Sequence, residues 1–466
     1  MSSDGNSSDE EEQEILLSDI SELRSARQHT PALPTVYQPT RTILHVDVDC
    51  FYAQSIFIRC DDSGDTAEPP PQPAIAVQQK HIVVTCNYPA RALGVGKLTG
   101  IKAALRLQEQ GLVKVHDGSD LTEFRADSYT IYETVRQFFN ERFGKRGLLF
   151  KACKSGMDEY NIDVSNTVNS GVGALELANE LRKFVFSRTR FTTSVGAGPN
   201  IFLAKMAANE KKPYGSFYMS LEEARPRILE MPLRSLPGLG RASLNVMKEQ
   251  IQKANFPPGT SEEAKLIVKH LLNTSTDALC DDQDTGLLSR ADVEKFKEMG
   301  RGLDRRPVED DEFKDKKRSG IEQSFIRGTL TDSKSVKAEI STLSGRLLKL
   351  IAEENSRFKG DARVGKNLVV TIRDRGEDGK SSYSASRKSK SVPWPGCNRD
   401  QLTLAASRLF ELLAKSHYGS DKEFNITLIN LAIEWADSGA AKAKKRGIQD
   451  IAGFFTAASS NPAKKI

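Results

Sequence analysis

Hydrophobic and polar positions alternate in a recognisable order along this chain. Residues 42–49, TILHVDVD, form an apolar run closed by two carboxylates one residue apart, and the pattern predicts a core strand. AIAVQQKHIVVTCNYPARALGVG holds two β-rich runs and then a helix from about Pro89. KACKSGMDEYNIDVS, residues 151–165, predicts a hairpin at a sheet edge. ALELANELRKFVFSRT has helical period, and FTTSVGAG reads as a strand. Strands alternating with helices in this order predict an α/β or α+β body.

From about 222 to 316 the pattern turns helical and polar, broken by two glycine turns, LPGLG (236–240) and MGRGLD (299–304). From about 318 it changes again. SFIRGTLT, NLVVTIRDR, SSYSASRKS and EFNITLINLAIEWA read as strands, with helices at about 333–354 and 399–416, which predicts a separate small domain. Residues 1–40 are Ser-, Asp- and Glu-rich and predict a disordered acidic tail. The segment DDSGDTAEPPPQP, 61–73, is too rich in proline for a helix or strand interior.

Composition narrows the classes. A chain of 466 residues exceeds one core. No apolar stretch reaches the ~18 residues of a membrane span, and the acidic start is unlike a signal peptide. The six cysteines are scattered with no CxxC pair, which argues for a reducing compartment and against structural zinc. The first 22 residues hold eight acidic side chains and no Lys or Arg, so the body is more basic than the net +5 suggests. A basic body suits a polyanionic partner, as it does any soluble basic protein.

Four stretches carry candidate chemistry. Asp47 and Asp49 share one side of their strand by the two-residue period. They could simply close a solvated acidic turn. Asp158 and Glu159 follow Gly156, and a bend there would aim both at one place; alone, such a pair is an ordinary surface feature. Asp47, Asp158 and Glu159 together would supply the hard oxygen donors that Mg²⁺ takes. TCNYPAR sets Thr85, Tyr88 and Arg91 at i, i+3 and i+6 near a helix start, an arrangement suited to a triphosphate or merely to a solvated helix. Lys211 and Lys212 add cationic donors before a Pro-Tyr-Gly turn.

HVDVDCFYAQ, VQQKHIVVTCNYPARALGV, SGMDEYNIDVS, SVGAGPNIFLAKMAANEKKPYGS and LPGLG, in that order, resemble the Y-family translesion DNA polymerases over about residues 42–436. The stretch 76–97 most resembles the iota branch. The resemblance implies an α+β multidomain right-hand polymerase with palm (41–57 and 121–221), small fingers (58–120), helical thumb (222–316) and α/β little finger (317–437). It implies error-prone, DNA-directed addition of deoxynucleotides to a primer 3′ end in translesion synthesis and repair, with two Mg²⁺ ions (Mn²⁺ as an alternative). Asp47, Asp158 and Glu159 would be catalytic acids and, with the Val48 carbonyl, metal ligands; Asp49 would be an acid that is not a direct ligand. Tyr52 would be the steric gate against a ribose, and Thr85, Tyr88, Arg91 and Lys212 would hold the triphosphate. Gln79 and Ile82 would lie over the template base and favour a rotated purine. LPGLG would be a helix-hairpin-helix turn on DNA phosphate, where a plain helix–helix turn fits those five residues equally.

The tail 438–466 contains KAKKRGIQDIAGFF. Ile448, Ile451, Phe454 and Phe455 have the spacing of a sliding-clamp box, with Ile448 where Gln is usual; packing on the chain's own domain is the alternative. Lys442, Lys444, Lys445 and Arg446 would serve as a nuclear localisation signal or keep the tail soluble. The expected partners are therefore primer-template DNA, deoxynucleoside triphosphates and a clamp, in the nucleus and with no membrane. Competing readings are another Y-family branch, eta-like or deoxycytidyl transferase, and a non-catalytic scaffold of the same fold.

Overall fold

The computed structural model describes residues 41–61, 64, 66–144, 150–168, 170–255, 266–280, 288–310, 317–325, 328–357, 363–374, 387–418 and 425–436. The acidic tail, the clamp-like box and the basic cluster beside it lie outside the described residues. The chain divides into two units, 1–309 and 310–466.

The first unit is organised on strand β1 (Ile43–Val48), the centre of a five-stranded sheet. Its neighbours are β7 (Glu159–Asp163) and β8 (Thr193–Gly198), both antiparallel to it; β6 (Lys151–Lys154) and β9 (Ser216–Tyr218) are the edges. The predicted hairpin over 151–165 is β6–β7. Leu44, Val46 and Val48 pack with residues of the two long helices α4 (Thr122–Phe143) and α5 (Gly171–Thr189). Ile43, on the other face, clusters with Ala204 of α6 (Ile201–Glu210). A strand covered on both faces must be apolar at successive positions, which explains the run in the sequence. Gly196 of β8 lets α6 close on the sheet: a Cβ there would lie 2.1 Å from the Ala204 carbonyl oxygen.

After β1, Cys50 (φ 49°) turns the chain into α1 (Phe51–Cys60). A second, four-stranded sheet has the order β4-β3-β2-β5, from β2 (Ile75–Gln79), β3 (Ile82–Cys86), β4 (Thr99–Gly100) and β5 (Lys114–Asp117). It carries the short α2 (Tyr88–Ala92) and α3 (Lys102–Glu109), with Ala76, Val83, Cys86, Ala90 and Val95 in its core. Thr85 belongs to β3, so it does not share a helix start with Tyr88 and Arg91 as the spacing suggested.

The helical stretch comprises α7 (Leu221–Leu229), α8 (Arg241–Asn255), α9 (Val268–Asn273), α10 (Thr276–Leu279) and α11 (Arg290–Gly300). Both sequence turns are real: Gly238 (φ 82°) precedes α8 and Gly302 (φ 81°) follows α11.

In the second unit, β10 (Arg318–Ser324), β11 (Gly365–Asp374), β12 (Arg387–Pro393) and β13 (Ile426–Trp435) form a sheet of order β10-β13-β11-β12. Helices α12 (Ser333–Arg357) and α13 (Arg399–Tyr418) bury Val336, Ile340, Leu343 and Leu347, and Leu402, Leu409 and Leu413, in its core. The first strand ends at Ser324, the first residue of SFIRGTLT. Arg318–Ser324 pairs residue for residue with β13, while Leu330 makes only an isolated bridge to Ile426. The mixed α/β character read from the sequence holds in both units. No described helix is long and apolar enough to cross a membrane.

Candidate active site

The acids converge because two strand ends meet. In the β1–β7 ladder Asp47 lies opposite Glu159. Asp158 sits in the bend just before β7, and its carbonyl accepts a hydrogen bond from the Val48 N–H (2.9 Å). Asp47, Val48, Asp158 and Glu159 line one cleft of about 300 Å³ together with Tyr52, Thr85, Tyr88, Arg91 and Lys212. The three acids and four phosphate-side residues picked from separate stretches thus share one cavity. Gln79 and Ile82 are outside its lining: Gln79 donates to the Gly118 carbonyl (2.8 Å), and Ile82 is 41% exposed on β3.

Two ammonium groups already offset part of this cluster's charge. Lys212 Nζ lies 2.6 Å from Asp47 Oδ1, and Lys205 Nζ reaches both Glu159 oxygens at 2.7 and 2.8 Å. Burial, then the charges of Asp47 and Glu159, push the Asp158 carboxyl above its ordinary range. Burial pushes Glu159 the same way, but the hydrogen bond and charge of Lys205, with the Lys212 charge, prevail and leave it lowered. An acid kept charged beside one that resists ionisation is a site short of positive charge. Hard oxygen donors in such a set fit Mg²⁺-type ions.

Asp49 plays a different part. Its carboxylate is buried, accepting from Ser194 Oγ (2.7 Å) and from the Tyr214 N–H (2.8 Å). It thereby ties the end of β1 to the turn that carries Lys212. Burial pushes its carboxyl up to about 6 in spite of both hydrogen bonds. The two acids one residue apart thus play different parts: Asp47 lines the cleft, and Asp49 holds its wall.

Tyr52, in the first turn of α1, packs edge-on against Phe124 with ring centroids 4.6 Å apart, and its hydroxyl contacts Met157 Sδ at 3.5 Å. The ring is held from two sides. Arg91 donates to the Cys86 carbonyl (3.1 Å) and lies over the Tyr88 ring, 4.6 Å from its centroid. Both sit on α2, whose N-cap is Asn87. The Asn87 Oδ1 accepts from the Ile75 and Ala90 N–H groups (2.9 and 3.2 Å), while its Nδ2 donates to the Pro73 carbonyl (2.7 Å). The proline-rich segment, unassigned from sequence, is thus anchored on the cap of the helix that carries Tyr88 and Arg91.

Sequence reasoning missed Lys97 and Asn209, which also line the cleft, and Lys205. Lys205 and Asn209 lie one helical turn apart on α6, and neither carries a local signal of the site. In the second unit, Arg318, Thr371, Arg387, Ser389 and Asn430 line an open hollow on the sheet.

Comparison with known proteins gives two family models. The impB/mucB/samB family matches residues 46–209, and the impB/mucB/samB family C-terminal domain matches residues 316–442. Together they cover more than half of the chain. The protein named DNA polymerase IV of Legionella pneumophila strain Philadelphia 1 is 25% identical over 309 residues, which is 66% of this chain and 76% of the relative. The protein of the same name from Mannheimia succiniciproducens is 30% identical over 204 residues, 44% of this chain and 53% of the relative. That from Pseudomonas syringae pv. tomato is 29% identical over the same length and shares. The first model spans Asp47, Asp158, Glu159 and Lys205, and ends just before Lys212.

Proposed function

The chain belongs to the impB/mucB/samB family, and we propose that, as a DNA-directed DNA polymerase of the translesion Y-family type, it extends primers through the Asp47–Asp158–Glu159 cleft. The observation that carries this reading is the meeting of those acids with Thr85, Tyr88, Arg91 and Lys212 in a single cavity.

Asp47, Asp158, Glu159 and the Val48 carbonyl would hold two divalent ions, Mg²⁺ by the hardness of the donors or Mn²⁺ in its place. Such ions, when bound, supply Lewis-acid stabilisation of the attacking and leaving oxygens in phosphoryl transfer. The protein's own groups bind and orient. Arg91 and Lys212 neutralise the polyphosphate, and Thr85 and Tyr88 hydroxyls fix its oxygens. The Tyr52 ring, braced by Phe124, closes the space a ribose 2′-hydroxyl would need. Catalysis of this kind rests on positioning and electrostatics more than on covalent help.

We assign 41–57 and 121–221 to the palm, 58–120 to the fingers, 222–316 to the thumb and 317–437 to the little finger. An iota-like template site over Gln79 and Ile82 is the finer reading, supported by their place on adjacent strands of the small sheet. Clamp binding through Ile448–Phe455 and entry into the nucleus through Lys442–Arg446 belong to the same proposal and rest on sequence alone.

The test is Asp158→Ala. Nucleotide addition should vanish while primer-template binding persists, because contacts to DNA phosphates elsewhere supply most of the affinity. Primer extension by the variant at a near-normal rate would refute the assignment.

A further inference from the structure

We propose that His45, Asp47 and Glu159 form an inner metal site, with one imidazole and two carboxylate ligands, that takes borderline divalent ions such as Zn²⁺ or Co²⁺. Strand geometry sets it up. His45 and Asp47 lie two apart on β1 and share a face, and across the ladder His45 meets Asn161 while Asp47 meets Glu159. One ligand atom from each of His45, Asp47 and Glu159 lies within 4.8 Å of the others.

The imidazole is prepared for this task. His45 is 1% exposed. Its Nδ1 lies 2.7 Å from Asn161 Oδ1, and the Asn161 amide is oriented by donating through Nδ2 to Ser155 Oγ (2.5 Å). An oxygen on Asn161 can only accept, so Nδ1 carries the hydrogen and Nε2 keeps a bare lone pair. That Nε2 is buried with no hydrogen-bond partner among the described residues. A ring whose other nitrogen is held by an amide oxygen is the usual arrangement of a metal-binding histidine.

The donor set decides the ion. Mg²⁺ seeks oxygen and keeps its waters, whereas Zn²⁺ and Co²⁺ take imidazole nitrogen beside carboxylate oxygen. Lys205 holds Glu159 when no ion does, and its half-exposed side chain is free to swing outward. Because Asp47 and Glu159 also belong to the all-oxygen set, an inner ion withdraws two of the three acids. Zinc-class ions should therefore inhibit while Mg²⁺ is in excess.

The experiment uses the full chain, stripped with chelator and given one equivalent of Zn²⁺, without nucleotide or DNA, so that its failure leaves the polymerase reading standing. Zinc K-edge X-ray absorption should show the outer-shell scattering of one imidazole. Competition with a chromophoric chelator should show affinity falling on the order of 10–100-fold or more in His45→Gln. A shell of oxygen only, or an unchanged affinity in a folded His45→Gln, overturns the proposal. If that variant does not fold, the five other histidines (His29, His81, His116, His270 and His417) are replaced by Gln instead. Retention of the imidazole signal then supports the site, and its loss refutes it.

Discussion

Asp49 offers a test of how the cleft wall is held. Its carboxyl ionises near 6 in the folded chain, against 3.8 for the free side chain, with burial as the leading cause. Between those values the folded state binds the proton and the unfolded state does not. Stability from this group is therefore present at low pH and lost as pH rises through the window. Two units correspond to a cost of about 3 kcal/mol once pH exceeds 6. Between pH 4.5 and 7.5 about 2 kcal/mol of it should appear. Asp49→Asn removes the titration but keeps the bonds. Its oxygen can accept from the Tyr214 N–H, and its amide can donate to Ser194 Oγ once that hydroxyl rotates. Urea unfolding of both proteins in chelator at the two pH values isolates the term, because the other titrating groups cancel in the difference. Relative to wild type, the variant should gain about 2 kcal/mol between pH 4.5 and 7.5. A pH-independent difference would mean that Asp49 titrates as an ordinary acid and that burial does not set its charge.

Three further outcomes are expected. Tyr52→Ala should raise ribonucleotide insertion relative to deoxyribonucleotide in single-turnover assays, since the ring braced on Phe124 is gone; an unchanged ratio removes Tyr52 from the gate. Asn87→Ala should cost about 2–4 kcal/mol in thermal or urea unfolding, summing a lost N-cap and stranded Ile75 and Pro73 groups, and should raise the KM for nucleotide through Tyr88 and Arg91. If Gln79 and Ile82 favour a rotated purine, replacing template adenine by 7-deaza-adenine should slow T insertion by roughly one to two orders of magnitude. Equal rates would return the chain to a generic translesion reading.

The acids could be read from the sequence because their geometry is local. A two-residue period places Asp47 on one face of a strand, and Gly156 announces the bend that frees Asp158 beside Glu159. The same holds for the long helices, whose apolar period survives in any context, and for the left-handed turns at Gly238 and Gly302. Tertiary structure decided everything that depends on which elements become neighbours. TCNYPAR looks like one helix start, yet pairing with β2 draws Thr85 into a strand, and Asn87 begins the helix after it. SFIRGTLT has strand propensity, but the ladder with β13 is filled by Arg318–Ser324, since sheet register rewards pairing along a partner more than composition. Lys205 meets Glu159 across 46 residues, and Asp49 meets Tyr214 across 165. Neither contact leaves a trace in local sequence, because charge pairing and burial are set by how α6 and the Lys212 turn pack on the sheet.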